Sequence, residues 1–161
     1  MTRTPFDAPE RELLAVDVEV ETIIQRPRAD VASFAGDPSR APEWYVNIKS
    51  AQWQTPPPLR IGSKVAFVAH FLGRKLSYTY EITQLEPGSR LVMRTAEGPF
   101  PMETTYTWES VGEDATRMTL RNRGEPAGFA KLAAPLMSAA MRKATTKDLA
   151  RLKRIMEARS R

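Results

Sequence analysis

The chain has 161 residues and a mass of 18.1 kDa; 42% of its residues are hydrophobic and 27% are charged. This length is typical of one domain with its own core, and no apolar run approaches the ~20 residues of a membrane-spanning helix, so we expect a soluble protein. The sequence has no cysteine and a single histidine, His70, which excludes disulfides, thiolate chemistry and metal sites built from paired imidazoles.

The positive charge is concentrated in one segment. The net charge is +5, yet residues 142–161 contain eight Lys or Arg against only Asp148 and Glu157. The rest of the chain is therefore close to neutral, and the basicity belongs to the C-terminal region. Residues 1–12 mix charges with two prolines and lack the apolar centre of a secretory signal. We interpret them as a flexible leader, residues 13–161 as the domain, and the cytoplasm as the expected location.

The predicted elements begin with a strand at residues 16–25, where apolar and polar side chains alternate. Two short helices are expected next, one at residues 28–35 and a single turn within residues 39–45. Six more strands follow, each with a large apolar face and a polar face. They are predicted at residues 48–54, 65–72, 76–85, 90–96, 102–109 and 116–123. Because the connectors are short, neighbouring strands should be antiparallel.

Beyond Gly128 the apolar residues recur at threes and fours, which predicts a long helix over residues 135–158. Pro135 is expected to kink a helix that begins near Phe129. One strand, two short helices, a run of antiparallel strands and a long helix form an α+β arrangement. Only the last helix is long enough to cover the apolar face of the sheet, so the sheet is predicted to curve around it.

Six phrases occur in order along the chain: VETIIQRPRADV at 20–31, DPSRAPEW at 37–44, FLGR at 71–74, EPGSRL at 86–91, GPFPM at 98–102 and TRMTLRNRG at 116–124. Their order and spacing resemble the polyketide cyclase/dehydrase-like group of the START-like (SRPBCC, birch-pollen-allergen-type) superfamily. The resemblance covers about residues 16–156. It implies a helix-grip fold, in which a curved seven-stranded antiparallel sheet wraps around the C-terminal helix. It also implies a cavity for lipids, sterols, polyketides, quinones or plant hormones.

Candidate ligand contacts come from the predicted inner faces of the strands, the facing helix and the short helices. They are Trp44, Phe67, Phe71, Tyr78, Tyr80, Met93, Met102, Tyr106, Trp108, Asn122, Met137 and Met141. Aromatic rings and flexible thioethers suit a pocket for an apolar molecule, although the same set could form a filled core. One interpretation is that Trp44 and Tyr45 border the mouth of the cavity. The other is that Trp44 attaches the short helices to the sheet.

The predicted inner faces of the strands carry no Asp, Glu, Lys, Arg or His, and His70 falls on the outer phase. Such a lining orients a ligand but is poorly suited to proton transfer. The first hypothesis is therefore a carrier or sensor of a small hydrophobic ligand, without metal or cofactor. The alternative is a polyketide cyclase or dehydratase that uses polar cavity residues for acid/base catalysis.

The basic helix supports a third hypothesis, an interaction module. Its cations either form a solvated face or contact an anionic membrane surface. Nucleic acid is not an expected partner, because no aromatic residues are interleaved with the charges.

Overall fold

The computed structural model describes residues 16–125 and 134–159. Strand β1 (Val16–Ile24) is followed by helix α1 (Arg28–Ala35), a 3-10 turn (Pro38–Arg40) and helix α2 (Ala41–Trp44). The remaining strands are β2 (Ile48–Trp53), β3 (Lys64–Phe71), β4 (Arg74–Glu86), β5 (Arg90–Glu97), β6 (Met102–Val111) and β7 (Ala115–Gly124), and helix α3 covers Ala134–Ala158.

The seven strands form one antiparallel sheet in the order β1-β7-β6-β5-β4-β3-β2. Strands β2 to β7 form a meander, and β1 returns to pair with the last strand. The β3–β4 connection is a two-residue turn in which Leu72 and Gly73 have φ angles of 51° and 74°. Positive φ at both central residues matches the right-handed twist of a hairpin. Two register shifts between β4 and β5 bend the long strand β4, and such bulges help the sheet to curl.

Helix α3 packs its apolar stripe against the concave face of the sheet. Leu149, Leu152 and Met156 are at most 1% exposed within the main core. The end of the helix is fixed by Arg26, whose Nη1 donates hydrogen bonds to the carbonyl oxygens of Met156 (2.9 Å) and Arg159 (3.1 Å). The Met156 carbonyl also accepts a longer hydrogen bond from the backbone N–H of Arg159 at 3.3 Å. The buried guanidinium thus adds a donor at the C-terminal end of the helix and complements the negative end of its dipole.

This architecture confirms the predicted α+β helix-grip fold, and every predicted strand and helix in the described residues is present to within about two residues. The described part of α3 begins one residue before Pro135, so the expected kink at Pro135 stays a prediction. The expected helix start near Phe129 and the leader at residues 1–12 lie outside the described residues. No helix in the described part of the chain is long and apolar enough to cross a membrane.

Candidate ligand cavity

A cavity of about 130 Å³ lies between the concave face of the sheet and helix α3. Strands β3 to β7 contribute most of its wall, helix α3 closes the opposite side, and the region around α2 adds Tyr45. Ten of the twelve predicted contacts line it: Phe67, Phe71, Tyr78, Tyr80, Met93, Met102, Tyr106, Asn122, Met137 and Met141. The alternation of the strands therefore placed these side chains on the correct face, whereas their contact with a ligand stays a prediction.

An aromatic cluster forms one part of the wall. Phe67 in β3 and Tyr78 in β4 are opposite each other in the sheet, and their ring centroids are 5.6 Å apart. Tyr80, two residues further along β4, packs edge-on against Tyr78 at 5.0 Å and against Phe67 at 5.9 Å. These separations are those of favourable aromatic pairs, so the three rings stabilise one another and form an apolar wall.

Trp44 and Trp108 are the two predicted contacts that the structure places outside the cavity wall, in the adjoining core. The Trp44 ring is completely buried, 4.1 Å from Tyr45 and 5.7 Å from Tyr106 between centroids. It attaches α2 to the sheet, which fits the alternative interpretation of this residue. Trp108 packs beneath the end of α1, where a Cβ on Gly36 would lie only 3.4 Å from its Cη2.

A chain of polar side chains crosses from the sheet to the helix along the cavity wall. The hydroxyl of Tyr80 lies 2.9 Å from Thr104 Oγ1, which donates to Asn122 Oδ1 at 2.8 Å. The amide nitrogen of Asn122 in turn donates to Thr145 Oγ1 on α3 at 3.2 Å. Each of these buried groups thus has a protein partner, so the chain joins helix and sheet without needing a ligand.

The cavity tyrosines are neutral hydroxyl groups. Burial raises the pKa of Tyr80 to about 12, and burial also raises the pKa values of Tyr45, Tyr78 and Tyr106 well above the usual 10.0. Tyr45 and Tyr106 are hydrogen-bonded to each other, with 2.5 Å between their hydroxyl oxygens. The hydroxyl of Tyr78 forms no hydrogen bond within residues 16–125 and 134–159. It is therefore free to contact a ligand.

Asp148 on helix α3 is a carboxylate in this wall; the prediction of inner faces without charged side chains concerned the strands and did not consider the helix. Asp148 is 5% exposed. Its Oδ1 accepts a hydrogen bond from the backbone N–H of Val46 at 2.8 Å. Burial raises the pKa of Asp148 to about 6, an effect that the Val46 hydrogen bond and the nearby Arg151 only partly oppose. Asp37 and Arg123 also border the cavity.

The model of the polyketide cyclase / dehydrase and lipid transport family matches residues 15–157. The chain belongs to this family. No curated protein matches the sequence significantly. Within the described residues, no group of three or more potential metal ligands occurs, and His70 is exposed on the outer side of β3, as predicted.

Solved structures share the helix-grip fold of this polyketide cyclase/dehydrase and lipid transport family member. A protein from Thermus thermophilus is 21% identical with a TM-score of 0.74, covering 90% of this chain and 99% of that one. A START superfamily protein from Mycobacterium smegmatis is 14% identical with a TM-score of 0.76, covering 88% and 97%. The Zhui aromatase/cyclase from Streptomyces sp. R1128 is 16% identical with a TM-score of 0.75, covering 91% and 96%. At these identities the likeness concerns the fold.

The amino-acid sequence of the protein contains a pattern that predicts a buried position for Asp148. Thr145, Leu149, Leu152 and Met156 are buried and recur at threes and fours along α3, and Asp148 lies in the same stripe. A carboxylate on the buried side of a helix is unusual, because burial disfavours its charge. The sequence-based prediction included Asp148 only in the charge balance of the basic segment and therefore missed its place in the buried stripe.

Proposed function

We propose that the protein binds a small hydrophobic ligand in the cavity between the sheet and helix α3, as a carrier or sensor. The observation that supports this most directly is the cavity of about 130 Å³, lined by aromatic and thioether side chains with a few fixed polar groups. Ligand sites have this composition: apolar walls supply affinity, and a small number of polar groups fix orientation. Lipids, polyketides and quinone-like compounds are the expected classes, and the cytoplasm is the proposed location.

The volume limits what enters without rearrangement of the wall. An apolar cavity of ~150 Å³ in another protein accepts benzene. The cavity of about 130 Å³ described above therefore suits a compact ring, or the ring-bearing end of a longer molecule. The thioethers of Met93, Met102, Met137 and Met141 can adapt to different shapes, because methionine is unbranched and polarisable.

Asp148 supports a second candidate function, cyclase or dehydratase chemistry. A carboxyl group with a pKa of about 6 exists in both protonation states near neutral pH, so it can accept a proton and return it. The structural neighbours include an aromatase/cyclase. For this function Asp148 would have to reach the reacting carbon of a bound polyketide-like substrate. Turnover of such a substrate that Asp148→Asn abolishes would favour the enzyme over the carrier.

The basic helix supports an anionic membrane surface as an additional proposed partner. Arg142 and Lys153 are bonded to backbone carbonyl oxygens of β1, at Glu19 and Ile23. Lys143, Lys147 and Arg154 are exposed and have no ion pair with any described residue. Such a cationic face attracts anionic lipid headgroups.

The binding proposal is tested by filling the cavity. Met141 lines it, so Met141→Trp should weaken binding of the compact apolar probe ethylbenzene, followed by NMR of methyl-labelled Met93, Met102 and Met137, at least severalfold. Leu136→Trp on the same helix is the control, because Leu136 is 62% exposed and outside the cavity wall. Overpacking costs ~1–3 kcal/mol, so circular dichroism and thermal unfolding must first show that both variants fold. Equal probe affinity of the two folded variants would contradict binding in this cavity.

A further inference from the structure

The polar groups of the cavity wall divide into those with protein partners and those without. Tyr80, Thr104, Asn122 and Thr145 are joined in one hydrogen-bonded chain. Tyr45 and Tyr106 are bonded to each other. The side-chain groups of lining residues that form no such bond with a described residue are the second carboxylate oxygens of Asp148 and Asp37, the hydroxyl of Tyr78 and the amide of Asn47. Of the residues that carry these groups, only Asp148 is buried, and its free oxygen can only accept hydrogen bonds while it is ionised.

Arg151 is the cation that acts on Asp148: it lies on the same helix, one turn further along, and reduces the cost of the negative charge. The neutral hydroxyl groups of Tyr45, Tyr78 and Tyr106 lie on other elements of the wall. Arg123 and Asp37 also border the cavity, and Arg123 forms ion pairs with Asp17 and Glu103. The free oxygen of Asp148 is not among the fully enclosed atoms of the described residues that lack a hydrogen-bond partner, so it retains accessible surface in the cavity wall. A ligand that supplies a donor there forms a charge-assisted hydrogen bond, which is stronger than one between neutral groups.

Resting on the proposed binding function, we propose that the cavity selects compact ring compounds that carry a hydrogen-bond donor, held by the free oxygen of Asp148. A hydroxyl group and a protonated amine both supply such a donor. Anionic ligands are disfavoured, since a second negative charge beside Asp148 would be repelled by its carboxylate. Ligands of the same size with no polar group, or with only an acceptor, bind more weakly.

The test compares the affinities of four probes with eight non-hydrogen atoms each: ethylbenzene, anisole, benzyl alcohol and benzylamine. Only the last two carry a hydrogen-bond donor. Binding is followed by NMR of methyl-labelled methionine. Met93, Met102, Met137 and Met141 line the cavity, whereas Met118 and Met156 are buried outside its wall and serve as internal references. Benzyl alcohol or benzylamine should bind roughly 5- to 30-fold more tightly than ethylbenzene and anisole. The tighter of the two identifies the donor as a neutral hydroxyl or a cation.

Two variants make the test specific. In Asp148→Asn the N–H of Val46 still needs an oxygen, so the amide nitrogen should occupy the free position and reverse the preference towards anisole. In Thr146→Val, which removes an exposed hydroxyl on the same helix outside the cavity wall, the wild-type ranking should persist. Equal affinities for all four probes in the wild type would refute donor selection while leaving the binding function intact. Absence of shifts at the four cavity methionines with every probe would refute both.

Discussion

Replacing Asp148 by Asn should stabilise the protein at neutral pH and have a smaller effect in acid. Burial raises the pKa of Asp148 in the folded state to about 6, from 3.8 for an exposed carboxyl. Between these two pH values the folded state binds the proton more strongly than the unfolded state does. The free energy of unfolding therefore falls as pH rises through this window, and the penalty is fully present above about pH 6. Asn carries no charge at any pH and escapes the penalty.

The magnitude follows from the two pKa values. One pKa unit corresponds to 1.36 kcal/mol, so linkage gives a change of roughly 2 kcal/mol between pH 4 and pH 7.5. Any constant effect of the Asn amide on packing cancels when the same pair of proteins is compared at the two pH values. The advantage of Asp148→Asn over the wild type should thus grow by about that amount as pH rises.

Urea-induced unfolding of both proteins at pH 4 and pH 7.5, followed by circular dichroism, measures this change. Asp17→Asn is the control, because the hydrogen bond from Arg121 lowers the pKa of Asp17 below 3.8. Its stabilising effect is present above that range and is lost only as pH falls further, through the lowered pKa, so the difference between this variant and the wild type should be nearly the same at pH 4 and pH 7.5. If the difference between Asp148→Asn and the wild type is the same at both pH values, the burial argument for Asp148 is refuted.

Two further outcomes are expected. Arg26→Met should cost roughly 2–4 kcal/mol in urea unfolding, because it removes the guanidinium donor from the carbonyls of Met156 and Arg159 at the end of α3. Arg117→Met, which removes only exposed ion pairs, should cost less than about 1 kcal/mol, and similar costs for the two variants would refute the role of Arg26 at the helix end. At low salt, more of the protein should sediment with phosphatidylserine-containing vesicles than with vesicles of pure phosphatidylcholine. The double variant Lys143→Gln with Lys147→Gln should reduce the sedimented fraction. Equal binding to both kinds of vesicle would contradict an anionic membrane surface as a partner.

The strands were predictable because two signals agree. In β3, for example, Val65, Phe67 and Ala69 alternate with exposed or half-exposed residues, and turn residues bound nearly every strand. Short connectors then leave antiparallel pairing as the simple solution. The pairing of β1 with β7 does not follow from alternation or from connector length, and it was not predicted.

Depth along a strand was harder to predict than its inner face. Thr104, Tyr106 and Trp108 all face inwards from β6, yet only the first two line the cavity. Alternation identifies which side chains face inwards. The position along the strand at which the cavity ends and the filled core begins depends on α1 and α2, which pack over that end of the sheet. Asp148 was missed for a different reason, since its phase on the helix was readable but its charge suggested an exposed position.

The pairing of the first strand with the last sets an order of events on the ribosome. Each residue of β1 lies opposite a residue of β7 that is made about a hundred residues later, from Ile24 with Thr116 to Val16 with Gly124. At ~5–20 residues per second, β1 waits ~5–20 s for its partner. During that time its unpaired backbone is open to strands of other nascent chains. Three acidic side chains on its outer face oppose such pairing by charge repulsion: Asp17, Glu19 and Glu21.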